Sequence, residues 1–303
     1  MDTKTVISKA SDHLGSLSGH VFDILTVSKP LSADAAVNLA KVVSKLSPLV
    51  GNLIEFNTCD FLNLQNEFDE FGNWKRQDPG FPDVIFNGIV KPTPGFEVKA
   101  WFPLATEITA RFKDSQLHFV NDNTYVSMIA WLPEFVIFGK PKIIDVLIIS
   151  GDSVAKARDT HYHDIPSYIV LEPEDTSNRA RNLQQTNTNG YKWQAHNDTT
   201  VEQKRIAEAK KMIESWGSNS KKYSPLRDYQ DKLRLLMGLF NNYRLDTNYA
   251  KMDRIGHEKI NKFSEKVYNT LYHGKKIGDW NSLLSNGDEE EIKSVLKETF
   301  KIS

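Results

Sequence analysis

The apolar residues of this chain change their spacing twice. Over residues 1–70 they recur at helical intervals. Ser32 precedes Ala36, Leu39, Val42, Val43 and Leu46, with Pro30 just upstream, the pattern of a capped amphipathic helix. A second helix is predicted from about Pro48 to Asn63 and carries Glu55. The stretch Asn73–Gly80 (NWKRQDPG) is rich in turn formers and is expected to separate this helical part from a β-rich one.

Between residues 81 and 172 short apolar runs alternate with breakers. The runs are Val84–Val90, Phe96–Phe102, Tyr125–Leu132, Glu134–Phe138, Ile143–Ser150 and Ser167–Leu171. Lys91–Gly95, Asn121–Asn123, Gly139–Pro141 and Gly151-Asp152 fall between them, which predicts strands joined by tight connections. Ile143–Ser150 (IIDVLIIS) is nearly all apolar and is expected to be a central strand covered on both faces. Residues 173–200 are polar. From about Val201 helical stripes return: Ile206, Ala209, Ile213 and Trp216; Leu226, Tyr229, Leu233, Leu236 and Phe240; Ile255, Ile260, Phe263, Val267 and Leu271; Ile292, Val295, Leu296 and Phe300. The fold class expected is therefore α/β (α+β), a central mixed sheet flanked by helices, with helical N- and C-terminal segments. No internal repeat or low-complexity tract is visible.

Composition adds limits rather than an answer. The chain has 303 residues, 40 % hydrophobic and 25 % charged, ordinary for a globular protein with a sizeable core. No run approaches the roughly 18 apolar residues of a membrane helix. Met1–Lys4 opens without a secretory signal pattern, and the single cysteine, Cys59, allows no internal disulfide; both point to a cytoplasmic protein. The formal net charge is -1, but it is unevenly spread. Residues 201–303 hold 20 Lys+Arg against 15 Asp+Glu, and residues 1–200 hold 18 against 24. A basic surface beside an acidic site suits a protein that holds phosphate with one and metal with the other.

The chemistry-bearing pattern lies at Pro82–Lys99. Phosphodiester hydrolysis needs charge neutralisation on phosphorus and a nucleophilic water, and hard divalent cations held by carboxylates supply both. Pro82-Asp83 precedes the run Val84–Val90, and Phe96-Glu97-Val98-Lys99 opens the next run. Strand alternation puts Glu97 and Lys99 on one face and Val98 on the other. Antiparallel strands joined through Lys91–Gly95 would bring Asp83 to Glu97. The plain alternative is a surface aspartate and a Glu–Lys pair on a solvated strand.

Pro82, Asp83, Glu97 and Lys99 together resemble the PD-(D/E)XK nuclease superfamily, whose pattern is an acid after proline, a strand, then acid–any–lysine. The resemblance covers roughly residues 50–150. It implies a restriction-endonuclease-like sheet in which Asp83 and Glu97 ligate Mg²⁺ and Lys99 orients or activates the attacking water, leaving a 5′-phosphate. The family often adds a helix glutamate, and Glu55 is the candidate. On this reading residues 1–303 form a single nuclease domain, with the catalytic core at about 50–200 and a helical C-terminal region, or subdomain, over 201–303.

Other candidates rank lower. Asp145 interrupts an apolar strand but has no lysine two residues on, so it fits a structural acid or a strand edge. His161-Tyr162-His163-Asp164 lacks further ligands at zinc spacing and reads as a polar connection. No phosphate-binding glycine loop, dinucleotide fingerprint or nucleophile elbow is present. Residues 178–193 gather side chains that read base edges: Arg179, Arg181, Asn182, Gln184, Gln185, Asn187 and Asn189, followed by Tyr191, Lys192 and Trp193. Such loops also occur as simple turns. After a nuclease-like core, the stretch points to double-stranded DNA as partner. The whole pattern resembles a type II restriction enzyme, which implies a homodimer on a palindromic site. The alternatives are a structure-specific repair or recombination nuclease, and a non-catalytic binding module with a chance motif.

Overall fold

Helices at both ends of the chain close over one five-stranded sheet. The computed structural model describes residues 1–77, 80–104, 119, 122–163, 168–170, 192–194, 200–216, five positions within 227–235, and 257–302. Two units are distinguished: Met1–Ala110 with Phe119–Val154 and Gly256–Ser303, and Arg111–His118 with Ala155–Ile255.

The first unit begins with α1 (Thr3–Gly15), started by the Asp2 side chain accepting from the Thr5 N–H. Next comes α2 (Ala33–Val42), whose Ser32 cap accepts from the Ala35 N–H as its position predicts. After a short 3₁₀ turn, α3 (Ser47–Asn63) follows with Pro48 in its first turn and buries Val50, Ile54, Thr58, Cys59 and Leu62. Five strands come next: β1 (Gly72–Arg76), β2 (Val84–Gly88), β3 (Gly95–Trp101), β4 (Thr124–Pro133) and β5 (Pro141–Ser150). They lie side by side in chain order. The β3–β4 pair is parallel and the other three are antiparallel, so the sheet is mixed.

Three expectations about strands are corrected. Asn73–Gly80 is not merely a turn, because Gly72–Arg76 forms β1. Its one apolar residue, Trp74, is buried against Phe68, Phe86 and Phe96 between the exposed Asn73 and Lys75, too short a pattern to show a period. Ile143–Ser150 is an edge strand rather than a central one. The central strand is β3, and β4 is the one buried at every position but Tyr125. The free edge of β5 is covered by the segment after α1, where Gly19 donates to Ile143 and Phe22 to Pro141. Glu134–Phe138 forms a turn, not a strand; Val136 is at φ 66° and Glu134 and Phe135 pair back across it to Lys140 and Phe138.

Three C-terminal helices complete this unit: α6 (Glu258–Asn269), α7 (Ile277–Asn286) and α8 (Glu289–Phe300), numbered after α4 and α5 of the intervening chain. Ile260, Phe263 and Val267 are the buried stripe of α6, and Ile292, Leu296 and Phe300 that of α8. Leu271 leaves the stripe; it lies 70 % exposed in a small hairpin of Leu271–Tyr272 with Lys275–Lys276.

Helix α4 (Gly151–His163) includes His161, Tyr162 and His163, so this tract is helical and not a connection. In the second unit Tyr168–Val170 pairs antiparallel with Lys192–Gln194, and α5 spans Thr200–Ser215. No helix among the described residues is long and apolar enough to cross a membrane.

Candidate active site

The register of β2 on β3 decides which residues of the Pro82–Lys99 stretch meet. Val84 pairs with Phe96 and Ile85 with Gly95. Asp83, one residue before Val84, therefore comes level with Glu97, one residue after Phe96. The 13 intervening positions form two strand ends and a turn rather than a separation in space. Gly95 permits the approach: a Cβ there would stand 2.5 Å from Pro82 Cγ and 3.1 Å from the Val84 carbonyl oxygen.

Asp83 is held from two sides. Its Oδ2 accepts the Val98 N–H at 2.7 Å, and its own carbonyl accepts the Gln77 N–H at 2.7 Å. The Gln77 side-chain amide also donates to the Pro82 carbonyl at 2.9 Å. Lys99 extends between the two acids. Its Nζ lies 2.6 Å from Glu97 Oε1 and 3.5 Å from Asp83 Oδ2, and donates to the Val98 carbonyl at 3.2 Å. All three side chains are mostly enclosed, at 9 % exposure for Glu97, 18 % for Asp83 and 22 % for Lys99.

Among the described residues the second Glu97 oxygen, Oε2, is buried with no hydrogen-bond partner. Such an orphan costs on the order of 1–3 kcal/mol, and native proteins retain few of them. Burial pushes the Glu97 carboxyl up to about 7; the Lys99 ammonium works against this and the Asp83 charge adds to it. Burial alone would lower the Lys99 pKa, but Glu97 and Asp83 outweigh it and hold the ammonium above its usual value.

Glu55 reaches the same place from α3. Its Oε1 accepts from Arg76 Nε at 2.7 Å, and Arg76 is paired across the sheet with Val84, next to Asp83. Burial raises the Glu55 pKa and the Asp83 charge raises it further, while Arg76 and Lys99 oppose the rise. All four sequence-named residues, Asp83, Glu97, Lys99 and Glu55, thus share one neighbourhood. Arg76 and Gln77 belong to it too and were hidden within the turn-rich Asn73–Gly80. Their only sequence signal was a cation and an amide closing a short polar-apolar-polar run.

The donor set suits a hard cation taken up through few protein ligands. Among the described residues no group of three or more His, Cys, Asp or Glu side chains is gathered as a metal cage. Mg²⁺ does not need one: it commonly uses one or two carboxylates and completes its shell with water and phosphate oxygens. Asp83 and Glu97, with an unpartnered buried oxygen on the latter, fit that arrangement.

Asp145 stands apart in role. It is 8 % exposed, its Oδ2 is 2.7 Å from Lys266 Nζ on α6, and its Oδ1 accepts from Ser18 at 3.2 Å. It joins β5 to two flanking segments and is a structural acid. Arg179, Arg181, Asn182, Gln184, Gln185, Asn187, Asn189 and Tyr191 lie outside the described residues. Lys192 and Trp193 fall in the short strand Lys192–Gln194. No protein-family model matches the chain, and no characterised protein or solved structure is detectably similar to it.

Proposed function

We propose that this protein is a Mg²⁺-dependent endonuclease acting on double-stranded DNA at specific sites, in the manner of a type II restriction enzyme. The observation that carries the reading is the Asp83–Glu97–Lys99 cluster on adjoining strands, with one Glu97 oxygen buried and unpartnered. The restriction-endonuclease-like character of the sheet belongs to this proposal.

Asp83 and Glu97 would hold the cation, with Glu55 beside them. A bound Mg²⁺ supplies charge neutralisation on the phosphate and lowers the pKa of a coordinated water. The reaction is an in-line displacement. A water oxygen forms a bond to phosphorus as the bond to the 3′ oxygen breaks; the water gives up a proton to solvent and the leaving oxygen takes one up from it, leaving a 5′-phosphate and a 3′-hydroxyl. Lys99 is a cation at neutral pH, because both carboxylates raise its pKa. Its role is therefore to orient the water and neutralise developing charge, not to remove a proton. The amide- and arginine-rich stretch Arg179–Lys192 would read base edges, and two copies of the chain would cut the two strands of a palindrome.

The test is incubation with phage DNA and Mg²⁺, read on a gel. Discrete fragments are expected. Smearing, or cutting confined to branched substrates, would replace site specificity with structure specificity. Intact DNA with both Mg²⁺ and Mn²⁺ would refute nuclease activity altogether and leave a binding module.

A further inference from the structure

Arg76 ends β1 and makes two directed contacts with consecutive residues of α3. Its Nε donates to Glu55 Oε1 at 2.7 Å, and its Cζ lies 4.0 Å from the centroid of the Phe56 ring. The first contact is made at the guanidinium edge and the second over its face. Together they leave the fork little freedom to rotate, a restraint an ammonium group cannot provide. Glu55 and Arg76 are both largely enclosed, at 14 % and 17 % side-chain exposure, while Phe56 is 48 % exposed.

Docking of α3 on the sheet does not require this pair. The Asn63 side chain already brackets Trp74 of β1, donating to its carbonyl and accepting its N–H, each at 2.8 Å. Ile54, Thr58 and Leu62 bury the helix face, and Gly51 of α3 faces Ala100 of β3. A buried ion pair also adds little net stability of its own. What the pair does settle is the place of one carboxylate. Arg76 is level with Val84, the chain neighbour of Asp83, and the Glu55 carboxylate fastened to it feels the charges of both Asp83 and Lys99.

We propose that Arg76 is a positioning residue of the site, holding the Glu55 carboxylate at the rim of the Asp83–Glu97–Lys99 cluster so that an incoming divalent cation meets a third acid. This rests on the reading of Asp83 and Glu97 as cation ligands. Arg76 acts through Glu55 and not through its charge. The two routes predict opposite signs: by Coulomb's law alone, removing a positive charge near a cation site strengthens cation binding.

The experiment is Mn²⁺ titration of the full chain without DNA, followed by the electron paramagnetic resonance signal of free Mn²⁺, with thermal midpoints recorded alongside. Arg76→Ala and Arg76→Lys are each expected to weaken Mn²⁺ binding roughly 10-fold, the usual scale for removing the partner of a metal-binding carboxylate. Glu55→Gln should weaken it by a similar factor, and Arg76→Ala added to Glu55→Gln should cost nothing more. Should Arg76→Ala fail to fold, Arg76→Lys, which keeps the charge and stem, decides alone. Unchanged or tighter Mn²⁺ binding in the Arg76 variants, with binding still abolished by Asp83→Asn, overturns this proposal and spares the parent reading. Failure of the unaltered protein to take up Mn²⁺ overturns both.

Discussion

A buried acid whose ionisation is opposed by its surroundings should make the protein less stable as the pH rises, and Glu97 is such an acid. Its carboxyl is carried from an ordinary 4.5 to about 7, chiefly by burial. Between those values the folded protein holds a proton that the unfolded chain has released, so unfolding free energy falls with increasing pH. The stabilising contribution is complete below about 4.5, declines through the window and is gone above 7. At about 1.4 kcal/mol for each tenfold in the proton equilibrium, the whole span is about 3 kcal/mol, and most of it falls between pH 5 and 8.5. Glu97→Gln removes the titration. The quantity to measure is the difference in stability between the variant and the parent at pH 5, 7 and 8.5, by urea or thermal denaturation in chelator. Reading that difference against pH cancels any constant offset from the new Lys99 partner. The difference should shift in the variant's favour by about 2–3 kcal/mol from pH 5 to 8.5, or roughly 3–5 °C in Tm for a protein of 303 residues. On the proposed function Mg²⁺ should reduce the shift, because it would bind the ionised form and stabilise the folded state by mass action. A pH-independent difference would refute the reasoning, since Glu97 would then be ionised at no cost and its environment would not be that of a cation site awaiting its ion.

Three further outcomes are expected. Lys99→Ala and Asp83→Ala should each abolish DNA cleavage, measured on gels with Mg²⁺, while leaving specific DNA binding largely intact by gel shift; cutting retained in both would remove these residues from the site. Gly95→Ala should destabilise the fold by about 1–3 kcal/mol and sharply reduce cleavage, because its Cβ would stand 2.5 Å from Pro82 Cγ and push Asp83 out of register with Glu97; wild-type melting and activity would show that the approach is not needed. Asp145→Asn should lower stability by about 1–2 kcal/mol through its bonds to Lys266 and Ser18, with cleavage unchanged when assayed well below the melting temperature; a selective loss of activity would make Asp145 part of the site.

Local chemistry alone determined much of this protein. Ser32 as a helix cap, the span of α3, the existence of β2 to β5, and the alternation that sets Glu97 and Lys99 on one strand face all come from side-chain periodicity and backbone preference, which act over a few residues. The site's acids and lysine were legible for the same reason: a proline, an acid, a strand and a second acid lie within 18 positions. What the sequence could not decide was anything set by neighbours distant along the chain. The order of strands placed IIDVLIIS at an edge, where the segment after α1 pairs with its start and only Ile143 and Ile149 of its apolar residues are fully buried. A single buried Trp74 made a strand of a stretch whose local composition favours turns, since the aromatic cluster it joins comes from three other segments. Arg76 and Gln77 became part of the site only when β1 paired with β2 and α3 packed on β1 and β3. Burial, and with it the raised pKa of Glu97 and the unpartnered oxygen, is likewise a property of the assembled sheet and not of Phe96-Glu97-Val98-Lys99 read along the chain.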